Sequence, residues 1–412
     1  MSDFFSIQLE ITDEFKSKLV QWANHFDTFT YIDSNRANDL YTNYDFILGI
    51  DALSSYSQLD ELKEGKFYFG HIGYDFNSPQ PHGKPMIDFG NFYFFEPRYI
   101  IYAKNGRLYF NRNAPESLQI LDSIHSEKIE NYTIPKTEFK SRTSEIEYIE
   151  NIKRIQDSIR NGQFYELNYC VEFYNEQTSI NAIATFLKIN QVAQAPMSAL
   201  AKYLDKFALC FSPERLACLK GNELISQPIK GTARRDLYNE KNDVRIKDEL
   251  ENSLKERAEN IMIVDLVRHD MTACAKTGSI KVEELCKIYT FPFVHQMIST
   301  ISAELKDKKY SKQALFNLLP AGSMTGAPKK EAMHFIHNIE NFSRGLYAGN
   351  IGYIAPNGDF DFNVVIRTLY YDENDKKISL AVGGAITLLS DAEREYNECL
   401  LKAEGILRFF QD

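Results

Sequence analysis

Apolar residues recur along this chain with two periods, and each period marks out elements. From Tyr165 to Phe173 they alternate strictly. Tyr165, Leu167, Tyr169, Val171 and Phe173 share one face, and Glu166, Asn168, Cys170 and Glu172 share the other. This predicts a strand whose polar face meets either solvent or the wall of a site. Just before it, Ile146, Ile149, Ile152, Ile155 and Ile159 recur at spacings of three and four. That spacing predicts a helix, capped by Thr143-Ser144 and stopped by Asn161-Gly162. Residues 198–211 and 215–229 read as strands linked through Ser212-Pro213-Glu214-Arg215, with a turn at Lys220-Gly221-Asn222. Pro228 argues for a strand end or an edge there. A single long helix is predicted over residues 236–276, then strands over 346–355 and 360–371, and a final helix capped by Ser390-Asp391.

The first 140 residues carry fewer signals. Residues 67–75 read as an aromatic strand entering a glycine turn. Residues 92–102 read as another, with a hairpin turn at Ala103-Lys104-Asn105-Gly106-Arg107 before Leu108-Tyr109-Phe110. The polar stretch 111–140 suggests a lobe boundary near residue 140, giving an N-terminal lobe (1–140) and a second region (141–412).

Composition narrows the class. The chain is 44% hydrophobic and 25% charged over 412 residues, which predicts a soluble globular chain with a large core. A net charge of -10 disfavours nucleic acid as a partner. No run approaches the ~18 apolar residues of a membrane span. The start, Met1-Ser2-Asp3-Phe4-Phe5, lacks the order of a signal peptide. Six scattered cysteines without a C-x-x-C pair read as buried thiols in a reducing cytoplasm.

The candidate chemistry lies in short polar stations. Lys230 sits where a strand gives way to Gly231-Thr232. It reads either as a solvated turn lysine or as an amine whose pKa is lowered by burial and nearby arginines. Glu214 and Lys230 are expected at adjacent strand ends, as a salt bridge or as an acid/base couple. Glu256 and Glu259 are three apart on one helix face, and Glu395 and Glu398 repeat that spacing, with Lys402 four residues further on. Each pair is either a solvated face or half of an oxygen-ligand site for a hard cation such as Mg²⁺. Residues 321–328 form a small-residue loop before a helix, with Pro328 suited to the first helical position, where free N–H groups could face an anion. Arg367, on a strand face with Asn363 and Val365, calls for a carboxylate partner from protein or ligand. At Gly383-Gly384-Ala385 backbone could approach a ligand closely.

Taken together, the ordered segments resemble the chorismate-utilising enzymes, most nearly their para-aminating branch. The matching segments are Phe69-Gly70…Gly73-Tyr74-Asp75, Ser212-Pro213-Glu214-Arg215, Pro228-Ile229-Lys230-Gly231-Thr232, Glu256-x-x-Glu259 running into Met262-Ile263-Val264-Asp265-Leu266-Val267-Arg268, and Gly322-Ser323-Met324-Thr325-Gly326-Ala327-Pro328-Lys329. They continue with Tyr347-x-Gly349…Gly352-Tyr353, Ile366-Arg367-Thr368 and Glu395-x-x-Glu398-x-x-x-Lys402. The match runs strongly from about residue 144 onward and weakly before it.

The resemblance implies an α+β fold, a large two-sheet sandwich flanked by helices with the site between the sheets. It implies Mg²⁺ on Glu256, Glu259, Glu395 and Glu398, bridging to a substrate carboxylate. Thr232, Thr325, Gly326, Tyr347, Arg367, Gly384, Ala385 and Lys402 would bind chorismate. Glu214 would protonate the departing ring hydroxyl, and Lys230 would attack carbon 2 before ammonia displaces it at carbon 4. The activity so implied is amination of chorismate to 4-amino-4-deoxychorismate, on the route to para-aminobenzoate and folate in the cytoplasm, with ammonia from a separate glutaminase subunit acting on glutamine. Anthranilate and isochorismate synthases are the sister alternatives. Lys230 speaks against the first, which carries Ala there. Glu166 stands where relatives have Gln, or Lys in the water-adding isochorismate and salicylate synthases, and so speaks against the second. The chain also departs from the family pattern at His269 and Ala385, and near His295-Gln296.

Overall fold

The computed structural model describes residues 4–37, 40–76, 83–129 and 131–411. Met1 to Asp3, where the signal-peptide reading begins, lie outside the described residues. The fold is α+β, with every ladder antiparallel. One set of strands runs neighbour to neighbour as Glu166–Asn175, Lys377–Ile386, Thr368–Asp372, Lys206–Ser212, Met197–Tyr203, Thr28–Asp33, Phe46–Tyr56 and Phe92–Lys104. The C-terminal half of Phe92–Lys104 then pairs Arg107–Phe110, which pairs Phe5–Gln8. Its N-terminal half instead pairs Tyr68–Ile72 and starts a second set. That set runs through Asn350–Ile354, Phe360–Asn363, Arg215–Lys220 and Glu223–Gln227 to Val294–Glu304, which carries both Ile229–Arg234 and Lys281–Thr290. A thirteen-residue strand shared by both sets is long enough to bend from one sheet into the other.

Two large cores follow from this arrangement. One lies between the first sheet and its helices: Phe15 and Leu19 of Asp13–Ala23, Ile152 and Ile155 of Glu145–Arg160, Phe186 of Ala182–Ala193, and Cys399 and Ala403 of Ala392–Leu407 pack on Leu167, Tyr169, Val171 and Leu380. The other joins the two sheets. Small residues of the first, Ala199, Ala208 and Cys210, meet Leu216, Leu219, Phe360 and Phe362 of the second. Small inner-face residues permit the close approach of two sheets. Residues before 140 sit in both cores and in both sheets, so no cut near residue 140 separates two hydrophobic cores. All six cysteines are buried, and none forms a disulfide. Among the described residues no helix is long and apolar enough to cross a membrane.

Several predicted elements take a different local form, each for a readable reason. The run 198–211 is a hairpin, Met197–Tyr203 and Lys206–Ser212, reversed at Leu204 in the left-handed region (φ 53°). The long helix is two, Glu240–Glu251 and Leu254–Thr272. Asn252 ends the first, and Ser253 caps the second by accepting the Glu256 N–H. In Glu145–Arg160 the buried side is Tyr148, Asn151, Ile152 and Ile155, while Ile146 in the first turn overhangs the core and is exposed. Pro328 is the N-cap of Lys329–Ile339 and lies outside its first turn. The run 360–371 breaks between Phe360–Asn363 and Thr368–Asp372, with Arg367 at φ 51° instead of on a strand face. The polar side of Glu166–Asn175 is buried between the layers, so it belongs to an interior wall.

Candidate active site

Lys230 owes its direction to a bulge. Between Ile229 and Thr232 the ladder with Val294–Glu304 advances three residues against two, Ile229 facing Ile298 and Thr232 facing Gln296. Such an extra residue bends the strand and re-aims a side chain. Gly231 makes this feasible at φ 85°, and a Cβ there would stand 3.1 Å from Glu256 Oε2. The Lys230 side chain enters a cleft whose walls also carry Glu214, Thr232, Glu256, Glu259, Tyr347, Arg367, Gly384, Ala385, Glu395, Glu398 and Lys402. The structure thus gathers twelve of the fourteen sequence-predicted site residues into one cleft, counting Lys230 with those eleven.

Thr325 and Gly326 are the two that do not line it. Thr325 is fully buried, with its hydroxyl donating to the Ala321 and Gly322 carbonyls. Gly326 pairs with Leu167 so closely that a Cβ would meet the Glu166 carbonyl at 2.2 Å. Their work is to fix the start of the Glu166 strand, since Thr325 O accepts from the Asn168 N–H and Ala327 O from the Tyr165 N–H. Arg344 ties the same loop down, donating to Met324 O, Asn168 O and both oxygens of Glu340.

Electrostatics around Lys230 differ from the sequence expectation. No arginine lowers its pKa. Burial works in that direction, but the charges of Glu166 and Glu259, the Glu166 hydrogen bond and Glu214 outweigh it and raise the lysine above its ordinary value. Nζ stands 2.7 Å from Glu166 Oε1. Glu214 is held by Ser212, whose hydroxyl accepts its N–H, and by Ser323, whose hydroxyl donates to Oε1 at 2.6 Å. Burial pushes Glu214 up to about 7, against the Ser323 hydrogen bond and the charge of Lys230. A carboxyl poised near neutrality in a cleft is suited to proton transfer. Arg367 makes no side-chain hydrogen bond or ion pair among the described residues; burial lowers its pKa against the charge of Glu214. A half-buried guanidinium facing a cleft is a ready carboxylate receptor.

The four glutamates come from two helices, Leu254–Thr272 and Ala392–Leu407. Lys402 pairs with Glu398 at 2.8 Å and also donates to the Gly383 carbonyl. Lys255 stands 3.1 Å from Glu395 and 3.9 Å from Glu259. As they stand, no three carboxylates among the described residues are compact enough to ligate one ion. The donor set nevertheless fits a hard dication. Glu259 Oε1 is buried without a hydrogen-bond partner, and burial, with Glu166 and Glu256 adding and Lys230 opposing, pushes Glu259 up to about 7. The Lys255 ammonium occupies the position of a cation between Glu259 and Glu395. Converging carboxylates of this kind are stabilised by positive charge.

Five polar residues at the cleft escaped the sequence reading as site members. Lys255, Gln296, Ser323 and Asn168 line it, and Glu166 pairs its lysine. Gln296 was legible only as the neighbour of His295. His295 itself is turned away, bound to Asp243 and Thr290. For Asn168 and Glu166 the signal was present, as the polar face of an alternating strand.

One cleft of this α+β sandwich gathers a lysine, a glutamic acid near neutrality, a guanidinium and four glutamates, the side chains of an enzyme site. The chain belongs to the chorismate binding enzymes, whose family model matches residues 8–408. Aminodeoxychorismate synthase component 1 of Escherichia coli strain K12 is 35% identical over 288 residues, 70% of this chain and 62% of that protein. Anthranilate synthase component 1 of Lactococcus lactis subsp. lactis strain IL1403 is 31% identical over 362 residues, 83% of this chain and 78% of that protein. The crystal structure of anthranilate synthase component I from Streptococcus pneumoniae TIGR4 superposes with a TM-score of 0.75 at 25% identity, over 85% of this chain and 82% of that one. The chain spans between 30% and 62% of the length of the aminodeoxychorismate synthases it matches.

Proposed function

We propose that the protein is an aminodeoxychorismate synthase, which aminates chorismate with ammonia to 4-amino-4-deoxychorismate through a covalent bond to Lys230. The single observation that carries this reading is Lys230 aimed by its bulge into the cleft that also holds Glu214. An ortho-aminating site needs no amine of its own, because ammonia adds directly at carbon 2. A para-aminating site must put nitrogen on the carbon that lost the hydroxyl, and two successive allylic displacements do so. In the first, Nζ bonds to carbon 2, both ring double bonds shift along the ring, and the carbon 4 hydroxyl leaves as water with the Glu214 proton. In the second, ammonia bonds to carbon 4, both double bonds shift back, and the lysine leaves.

Arg367 and Lys402 suit the substrate carboxylates, with Gly384 allowing backbone to approach and Thr232 and Tyr347 closing the walls. Glu256, Glu259, Glu395 and Glu398 would hold Mg²⁺, which when bound neutralises a substrate carboxylate and the glutamates together. The names of the component 1 relatives support a second component that supplies ammonia from glutamine, and the reading places the enzyme in para-aminobenzoate and folate formation in the cytoplasm.

The test is chorismate, Mg²⁺ and ammonium at high pH, with the product identified directly and again after adding a lyase that yields para-aminobenzoate. The expected product is 4-amino-4-deoxychorismate, and glutamine alone is inert. Anthranilate-type or isochorismate product as the main outcome would overturn the reading.

Glu214→Gln should slow hydroxyl loss by roughly 10²–10⁴-fold. The wild-type rate of that step should fall as pH rises through about 7, where the Glu214 acid loses its proton. The fall should vanish in Glu214→Gln. Single-turnover kinetics on chorismate without ammonia measure both, and a wild-type rate and profile in the variant would reduce Glu214 to a structural partner.

A further inference from the structure

The contact between Lys230 and Glu166 spans the two sheets and 64 residues of sequence. Lys230 rises from the bulge in Ile229–Arg234, and Glu166 opens Glu166–Asn175. Glu166 is 1% exposed, and Lys230 9%. Glu166 Oε1 accepts the Lys230 N–H at 2.7 Å, while Oε2 is buried with no hydrogen-bond partner. A buried carboxylate is ordinarily saturated with donors. This one keeps a single donor, the amine that must become a nucleophile. Its backbone is held opposite Ala327, and the next two residues, Leu167 and Asn168, pair with Ile386 and Ala385 on the other side.

The environment also shows that the lysine needs such a partner. Besides Glu166, the carboxylates acting on Lys230 are Glu259 and Glu214, with Glu256 and Glu398 further round the cleft. All of them favour the ammonium form, which has no lone pair to attack with. Glu214 is the donor toward the leaving hydroxyl, so it cannot also be the acceptor in the same step. Glu256, Glu259 and Glu398 make no contact with Nζ within ion-pair distance among the described residues.

We propose that Glu166 is the proton acceptor of Lys230, taking the ammonium proton before the lysine bonds to substrate and returning it after that bond breaks. The inference rests on the reading of Lys230 as nucleophile. The protons balance. Glu166 takes one from Nζ, and the neutral amine bonds to carbon 2 to give a secondary ammonium. Glu214 gives its proton to the departing hydroxyl, which leaves as water. Ammonia then bonds to carbon 4 as the lysine departs as a neutral amine. Glu166 returns its proton to the lysine, and Glu214 recovers one from the new ammonium. The net change is chorismate plus ammonia to amino product plus water, with both glutamates restored.

The experiment is the rate at which the Lys230 peptide gains the mass of chorismate less water, followed by mass spectrometry without ammonia. Because the transfer inside the ion pair does not involve solvent, the wild-type rate should be flat from about pH 5.5 to about pH 6.5, below the fall set by Glu214. In Glu166→Gln the proton must pass to solvent. Its rate should be roughly 10²-fold lower at neutral pH and rise about tenfold per pH unit over the same range. Glu166→Asp keeps a carboxylate and should keep the flat limb. An unchanged rate and a flat limb in Glu166→Gln overturn the proposal. Should that variant not fold, the others decide, since a limb rising tenfold per unit in wild type or in Glu166→Asp overturns it as well. A wild type that gives amino product with no adduct at Lys230 overturns the nucleophile reading itself, and the proposal with it. That outcome is distinct from adduct formation indifferent to Glu166.

Discussion

Lys230→Ala should abolish formation of the para product and leave a slow ortho-type amination of chorismate. The rest of the cleft is built on other elements: Arg367 lies in the 364–367 break, Lys402 is anchored to Glu398 and Gly383, and the four glutamates stand on two helices. Substrate still binds, Glu214 still protonates the hydroxyl, and ammonia still reaches carbon 2. The first displacement then ends at 2-amino-2-deoxyisochorismate, because nothing occupies carbon 2 to be expelled. Product analysis against chorismate and ammonium checks this, and para product at the wild-type rate would return Lys230 to the role of a cation at the cleft wall. The same substitution carries a stability effect that must be separated from catalysis. It strands Glu166 as a buried unpaired carboxylate, and breaking a buried pair from one side costs about 3–5 kcal/mol. The double variant Lys230→Ala/Glu166→Gln should recover much of that loss in thermal unfolding while staying inactive for the para product.

Glu259→Gln and Glu398→Gln should each abolish turnover at limiting Mg²⁺ while leaving the fold intact. Both remove ligand charge and keep volume. Their folded-state surroundings differ, which makes the pair informative. Glu259 has a buried oxygen without a hydrogen-bond partner, so its amide replacement removes a buried charge that burial already disfavours. Glu398 is already paired with Lys402, and its replacement frees that lysine. In wild type, Mg²⁺ should raise the melting temperature by mass action on the folded state. Each variant should lose most of that rise, a readout that does not depend on turnover. Near-normal activity and a wild-type Mg²⁺ effect on melting in both variants would remove the metal from these glutamates.

The sequence determined the candidate chemistry to a large extent, and for a physical reason. The candidate side chains sit at stations where the local pattern is interrupted: a lysine at a strand end, paired glutamates one turn apart on capped helices, an arginine with no local partner. Such interruptions are local, and so were legible. The α+β class and the family membership were legible for the same reason, because several stations recur in order. The alternating strand at 165–173 announced its two faces but could not say which medium met the polar one.

That answer came from the tertiary structure. Only the pairing of Ile229–Arg234 with Val294–Glu304 creates the bulge that aims Lys230, and only the closure of two sheets brings Glu166 to 2.7 Å from it. The sign of the lysine's pKa shift depends on that closure, since the carboxylates that raise it come from other parts of the chain: Glu166 lies 64 residues upstream and Glu259 on the helix Leu254–Thr272. Helix and strand breaks at Asn252-Ser253, Leu204 and Arg367 were likewise decided by caps and left-handed turns that fit only once their neighbours are in place. Thr325 and Gly326, read as pocket lining from the motif, stand behind the wall. Their backbone pairing with the Glu166 strand took precedence over exposure to the cleft. Periodicity reports which residues share a face. What that face meets is set by contacts distant in sequence, and in this protein those contacts build the site.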